Sequence, residues 1–103
     1  MPVMNRRRAQ RKNLKTPVDF TVPGWPYRRT IDNISEDGML VCTRDTLPPG
    51  TELDFLFDLS GKFMKVKGRI IWTRLDRLGV RFLPGVGRDR VQRLVQKIPS
   101  QEN

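Results

Sequence analysis

The sequence predicts a mainly β domain: a six-stranded antiparallel β-barrel followed by one C-terminal α-helix. Three observations carry this. Apolar and polar residues alternate with the period of a half-buried strand in six separate runs between Leu14 and Leu83. Short turn-forming stretches join the runs and no helical run lies between them, which argues against a parallel sheet. The period switches to that of a helix once, after Pro84-Gly85. A chain of 103 residues is enough for one domain and not for two. Closing so small a sheet into a barrel removes its exposed edges, and the helix then covers one open end.

The elements follow in order. Residues 1–13 hold little apolar content beyond Met1, Val3 and Met4, so this basic segment is expected to be mobile. Leu14, Thr16, Val18, Phe20 and Val22 alternate with Lys15, Pro17, Asp19 and Thr21, which predicts the first strand. Pro17 has no N–H to donate and belongs at an edge or a strand start. Pro23-Gly24 turns the chain into a second strand, Tyr27 to Ile34. Met39 to Thr43 is the third. Pro48-Pro49-Gly50 makes the next connection a loop. Thr51 to Asp58 is the fourth strand, with Leu53, Phe55 and Phe57 on one side. After Ser60-Gly61-Lys62 the fifth strand runs from Phe63 to Thr73. Its period places Met64, Val66, Ile70 and Trp72 on one face and Lys65, Lys67, Arg69 and Ile71 on the other. Gly68 interrupts this strand where a bulge or sharp bend is expected. Leu78 to Leu83 is the sixth, with Leu78, Val80 and Phe82 inward. Val91, Leu94, Val95 and Ile98 then fall on one helical face, and Pro99 stops the helix. The expected organisation is a flexible basic segment (1–13), a single domain (14–98) and a tail (99–103).

Charge is the outlying quantity. Twenty Lys and Arg against eleven Asp and Glu give a net +9. Arg6, Arg7, Arg8, Arg11, Lys12 and Lys15 all precede the first acid, Asp19, so most of the excess sits at the front. Such a run fits an anionic partner, and taken alone it fits a solvated tail equally well. The chain has no His, which removes the commonest general base and metal ligand near neutral pH. Cys42 is the only cysteine, so no intrachain disulfide or thiolate cluster is possible, and it reads as a small packing residue. The start lacks the apolar core of a signal peptide, and no apolar stretch approaches the ~18 residues of a membrane span. The reading is a cytoplasmic protein of a reducing compartment, without membrane insertion, metal or cofactor.

The candidate site is the stretch Asp32-Asn33-Ile34-Ser35-Glu36-Asp37-Gly38, which an apolar run enters and another leaves. Its pattern is Asn33-x-Ser35-x-x-Gly38. Asn33 offers a carbonyl acceptor and an amide donor, Ser35 a hydroxyl, and Gly38 a backbone free to take positive φ. On these residues alone it is a turn between strands, with Ser35 bonding within its own turn. Asp32, Glu36 and Asp37 cluster, yet without His or a metal triad they read as turn residues, and an enzyme is not expected. Upstream stands Arg7-x-x-x-Arg11.

Together and in this order, Arg7-x-x-x-Arg11 and Asn33-x-Ser35-x-x-Gly38 resemble the two signatures of the PilZ domain, a bacterial receptor module for cyclic di-GMP. Gly79-Val80-Arg81-Phe82 is similar to that family's last barrel strand. The resemblance runs from about Arg6 to Phe82, and many members carry a following helix. It implies a PilZ-like split barrel and cyclic di-GMP as ligand, held by Arg7, Arg11, Asn33, Ser35 and Gly38. The chemistry is consistent: arginine forks suit both phosphodiesters and the O6/N7 edge of guanine, and Asn33 can accept from the guanine N–H edge. Asn33 stands where many members have Asp, a stronger charge-assisted acceptor. The resemblance further implies that Arg6, before the motif, accompanies an intercalated ligand dimer, with Arg8 supplying another fork. Trp72 is expected in the core by its period; at the strand end it would instead be a guanine platform, as a similarly placed aromatic is in some PilZ domains. Trp25 reads as a loop-packing residue. The expected function is a cyclic di-GMP receptor or adaptor that changes conformation and signals to an unidentified effector protein. Two alternatives stand beside it: a PilZ-like protein-interaction module without nucleotide, which typically lacks the arginines, and a non-specific nucleic-acid-binding barrel, which usually exposes more aromatics on one face.

Overall fold

The computed structural model describes residues 11–99. Its elements are β1 (Lys12–Val22), β2 (Trp25–Ile34), β3 (Gly38–Cys42), β4 (Glu52–Leu59), β5 (Lys62–Arg74), β6 (Arg77–Phe82) and α1 (Val86–Val95). The strands form a closed barrel in the order β1-β2-β3-β6-β5-β4, antiparallel at every junction. The expected fold class is the one observed.

The strands match the alternating runs, with ends shifted by a residue or two. β1 starts at Lys12, ahead of the expected Leu14, because Lys12 and Asn13 pair with Ile34 and Asn33 of β2. The helix departs further. It begins at Val86, and Gln96–Ile98 continue it only as turns whose amides bond back to Gln92, Leu94 and Val95. Its first turn carries no apolar period to reveal it. What holds that turn is a close approach: a Cβ on Gly87 would stand 2.2 Å from the Lys65 carbonyl of β5.

The interior is apolar and continuous. Val18, Ile31, Ile34, Val41, Phe55, Ile70 and Leu78 are fully buried, and α1 adds Val91 and Val95 over one end. Phe20 stacks on Tyr27 at 5.3 Å and meets Phe55 at 5.4 Å. The barrel closes narrowly, because β1 and β4 pair only through Val18–Phe20 against Phe55–Phe57.

Pairing departs from regularity at three places. β1 slips against β2 between Asn13 and Thr16, β2 slips against β3 between Ile31 and Asn33, and β5 slips against β6 between Ile70 and Trp72. The expected irregularity at Gly68 is absent: pairing runs straight through it to Leu53 and Phe82. Gly68 faces inward instead, where a Cβ would meet Val80 at 2.6 Å and Phe55 at 3.0 Å, so it yields volume to the core. The bulge at Ile71 also corrects the period-based position of Trp72. Ile70 is buried, Ile71 is 43% exposed, and Trp72 lies on the outer face rather than with Met64, Val66 and Ile70.

Candidate functional site

The Asn33–Gly38 segment leaves β2, makes a tight turn and enters β3. Ser35 is buried, and its backbone N–H donates to the Gly38 carbonyl at 2.8 Å. Its hydroxyl lies 3.4 Å from the same carbonyl and accepts from the Asp37 N–H at 3.3 Å. Ser35 thus closes its own turn, the blander of the two roles its position allows. Two further bonds anchor the turn. The Phe82 N–H donates to the Asp37 carbonyl at 2.8 Å, and Gln92 of α1 donates to the Glu36 carbonyl at 3.2 Å.

Gly38 has a different reason from the one its sequence suggests. The described glycines with positive φ are Gly24, Gly50, Gly61 and Gly85, and Gly38 is not among them. A Cβ at Gly38 would stand 2.0 Å from the Val80 carbonyl oxygen of β6. The position demands absence of a side chain for strand packing, not freedom of φ.

Asn33 is the hub of the polar contacts. Arg11 Nη1 donates to its Oδ1 at 3.0 Å, joining the end of one motif to the start of the other across 22 residues. Asn33 Nδ2 in turn donates to Asp32 Oδ2 at 3.3 Å. Lys15 pairs with the other oxygen of Asp32, and Arg77 Nη1 stands 3.9 Å from Oδ2. The hydrogen bond from Lys15 holds the Asp32 carboxyl below its ordinary 3.8, aided by the charges of Lys15 and Arg77 against the opposing effect of burial. Arg77 Nε is buried without a hydrogen-bond partner among the described residues.

Sheet register places Asn33 and Trp72 on one row. Asn33 pairs with Leu40, Leu40 with Gly79, and Gly79 with Trp72. Three interstrand steps put the ends roughly 14 Å apart along the sheet. The neighbours Met39, Val41, Leu78 and Val80 are buried, so this intervening row faces outward. The indole lies over Gly79: a Cβ there would stand 2.4 Å from its ring carbon Cε2. Arg74, two residues along the same face, sets its guanidinium 5.1 Å from the ring centroid. Gly79 and the Ile71 bulge therefore create the platform together, and the spacing of apolar residues signals neither.

Of the expected site residues, Arg11, Asn33, Ser35 and Gly38 are drawn together at one end of this row, with Trp72 at the other. Arg6, Arg7 and Arg8 lie outside the described residues. Sequence reasoning missed Asp32, Lys15 and Arg77 as members of the site. The only signal was the acid beside Asn33, which reads as a turn former. Among the described residues no helix is long and apolar enough to cross a membrane.

The comparisons with known proteins agree with one another. The barrel is similar to the PilZ domain of CeSA from a cellulose-synthesizing bacterium, at 19% identity and TM-score 0.72 over 85% of this chain and 96% of that one. It is similar to the Bacillus subtilis inhibitor of motility MotI/DgrA, at 18% identity and TM-score 0.74 over 94% of this chain and 54% of that one. It is also similar to the Borreliella burgdorferi PlzA protein, solved in complex with c-di-GMP, at 16% identity and TM-score 0.59 over 89% of this chain and 40% of that one. At such identities these likenesses show the fold. No curated protein sequence matches the chain. The family model of the PilZ domain matches residues 5–98, nearly the whole length, and the chain belongs to the PilZ domain family.

Proposed function

We propose that this protein is a cyclic di-GMP receptor that passes the binding event to a protein partner. The observation that carries the reading is the Arg11–Asn33 hydrogen bond, which brings the two motifs onto one end of the outward row that Trp72 completes. A guanidinium fork, an amide able to read a guanine edge and an aromatic plane are the three chemistries a guanine dinucleotide needs. The PlzA complex, on the same fold, supports that choice of ligand. In this reading Arg7 and Arg11 hold phosphate and the O6/N7 edge, Asn33 accepts from the guanine N–H edge, Ser35 and Gly38 shape the turn, and Trp72 stacks on a base. The protein acts by binding, with no catalytic step.

Two further parts belong to the proposal. Arg6 and Arg8 supply forks for a second, intercalated ligand, whose stacked pair concentrates more phosphodiester charge than two arginines offset. The signal leaves through α1, since Gln92 holds the Glu36 carbonyl of the turn and Lys12 donates to the carbonyl of Ile98.

Isothermal titration with cyclic di-GMP, cyclic di-AMP and GTP tests the reading. Only the first should bind tightly, with a stoichiometry near two that Arg6→Leu moves toward one. Truncating a desolvated charged contact costs roughly 2–5 kcal/mol, so Arg7→Ala or Arg11→Ala should weaken binding well over tenfold. Wild-type affinity no better than that of the double arginine variant would sink the proposal.

A further inference from the structure

Adjacent residues of a regular strand point to opposite faces, yet Asp32 and Asn33 stand side by side on the outer face of β2. The slip of register between Ile31 and Asn33 makes this possible, because the extra residue is re-aimed beside its neighbour. The result is a contact of 3.3 Å from Asn33 Nδ2 to Asp32 Oδ2.

That contact decides which way the amide of Asn33 faces. A carboxamide has a donor end and an acceptor end of nearly the same shape, so its neighbours select the orientation. Asp32 is an acceptor with no proton to offer, kept so by Lys15 on one oxygen and Arg77 beside the other. Arg11 on the opposite side is a donor only. Flipping the amide would set oxygen against carboxylate and NH2 against guanidinium, losing two contacts and adding two repulsions. The acceptor end is therefore turned away from Asp32, toward the side from which Arg11 approaches.

We propose that Asp32 is a positioning residue that aims the Asn33 carbonyl outward as an acceptor, and so sets the preference for a guanine N–H edge over an adenine edge. This rests on the cyclic di-GMP reading of the site. A carboxylate has two acceptor oxygens and needs no orienting neighbour, whereas an amide does. Carboxylates at both 32 and 33 would repel at this distance, so one negative charge is shared between the two positions and here position 32 holds it.

The test is a charge swap, read by titration of the full chain with cyclic di-GMP and cyclic di-AMP, with thermal melts alongside. Asp32→Asn should weaken cyclic di-GMP binding about five- to tenfold and narrow its margin over cyclic di-AMP, since Arg11 alone then orients the amide. The double variant Asp32→Asn/Asn33→Asp should return to within about twofold of wild type, because the carboxylate at 33 needs no aiming. If Asp32 merely pinned Lys15 and Arg77, the double variant would stay as weak as the single one, and that result overturns the proposal. Unchanged affinity and selectivity in Asp32→Asn overturn it too. Should Asp32→Asn lose its cooperative melt, the double variant alone decides, since it keeps one carboxylate in the pair. A wild type that binds no cyclic di-GMP fails at the first titration and removes the receptor reading itself, a result distinct from a binding wild type with an indifferent Asp32.

Discussion

Gly38→Ala separates two explanations of a motif glycine. If glycine is there to let a ligand approach the backbone, the change should impair binding and leave stability nearly intact. The structure predicts the reverse order of effects. The added Cβ would lie 2.0 Å from the Val80 carbonyl oxygen, 3.1 Å from its carbon and 3.2 Å from Arg81 Cα, all backbone atoms that no rotamer change can move aside. Real Cβ contacts essentially never fall below 3.0 Å, so β3 and β6 must part by about 1 Å where Gly38 pairs with Arg81. Overpacking of this kind costs about 1–3 kcal/mol. Parting the strands also strains the Ser35-to-Gly38 and Phe82-to-Asp37 bonds, both 2.8 Å long, at about 1 kcal/mol each. A loss of about 3–5 kcal/mol is a large share of the ~5–15 kcal/mol that holds a domain together. It should lower the melting temperature by about 12 °C or more. The assay is a thermal melt by circular dichroism, with Gly61→Ala as comparator. At Gly61 φ is 82° but nothing stands near the added Cβ, so only the backbone cost of about 1–2 kcal/mol applies. Gly38→Ala melting within a few degrees of Gly61→Ala would refute the packing argument, and weakened binding in so stable a variant would restore the ligand-approach explanation.

Other expectations follow from the same contacts. Gly79→Val in a Trp25→Phe background should evict the indole of Trp72, seen as a red shift in its fluorescence, and weaken cyclic di-GMP binding roughly tenfold through loss of stacking. Asp19, Asp32 and Asp45 are held below their ordinary 3.8 chiefly by hydrogen bonds from Arg28, Lys15 and Arg29 respectively. Carboxyls depressed in the fold stabilise it fully above their unfolded pKa and cease to as pH falls through the folded one, so melting temperature should hold from pH 7 to about 5 and drop below about 4. A melt as high at pH 3 as at pH 6 would contradict this. Gln92→Leu removes the side-chain bond to Glu36 and should speed hydrogen exchange of the α1 amides about fivefold while leaving the β4–β5 amides unchanged. If ligand binding leaves α1 exchange untouched in the wild type, the proposed output through α1 is wrong.

The parts of this molecule that were legible in its sequence are those fixed by periodicity. Strands with one face in a core must alternate, and Val18–Phe20 or Phe55–Phe57 announce their inward residues without ambiguity. The first turn of α1 was not legible, because Val86–Arg90 are held by the fit of Gly87 against β5 and not by an apolar stripe. Trp72 illustrates the limit most clearly. Period-two counting is correct as far as Ile71, exposed as expected, and fails at Trp72, since a single extra residue reverses every facing beyond it.

A slip of the same kind occurs in β2, and the coincidence has a physical basis. Both slips fall on the strands that bear the two ends of the Asn33–Trp72 row, and each sets two consecutive side chains where a regular strand would present one. A closed barrel has no free edge and few long loops from which to build a binding surface, so side chains gathered on its outside must come from the strands themselves. Regular pairing spaces them two residues apart along each strand, too sparse for a hydrogen-bonded cluster. Bulges raise that density locally: Asp32 joins Asn33, and Ile71 joins Trp72. Residues beside these slips are therefore the ones that make the site, and a motif read as letters marks where the site is without showing which neighbours complete it. Asp32 stood beside Asn33 in the sequence throughout; only the slipped register turns that adjacency into a contact.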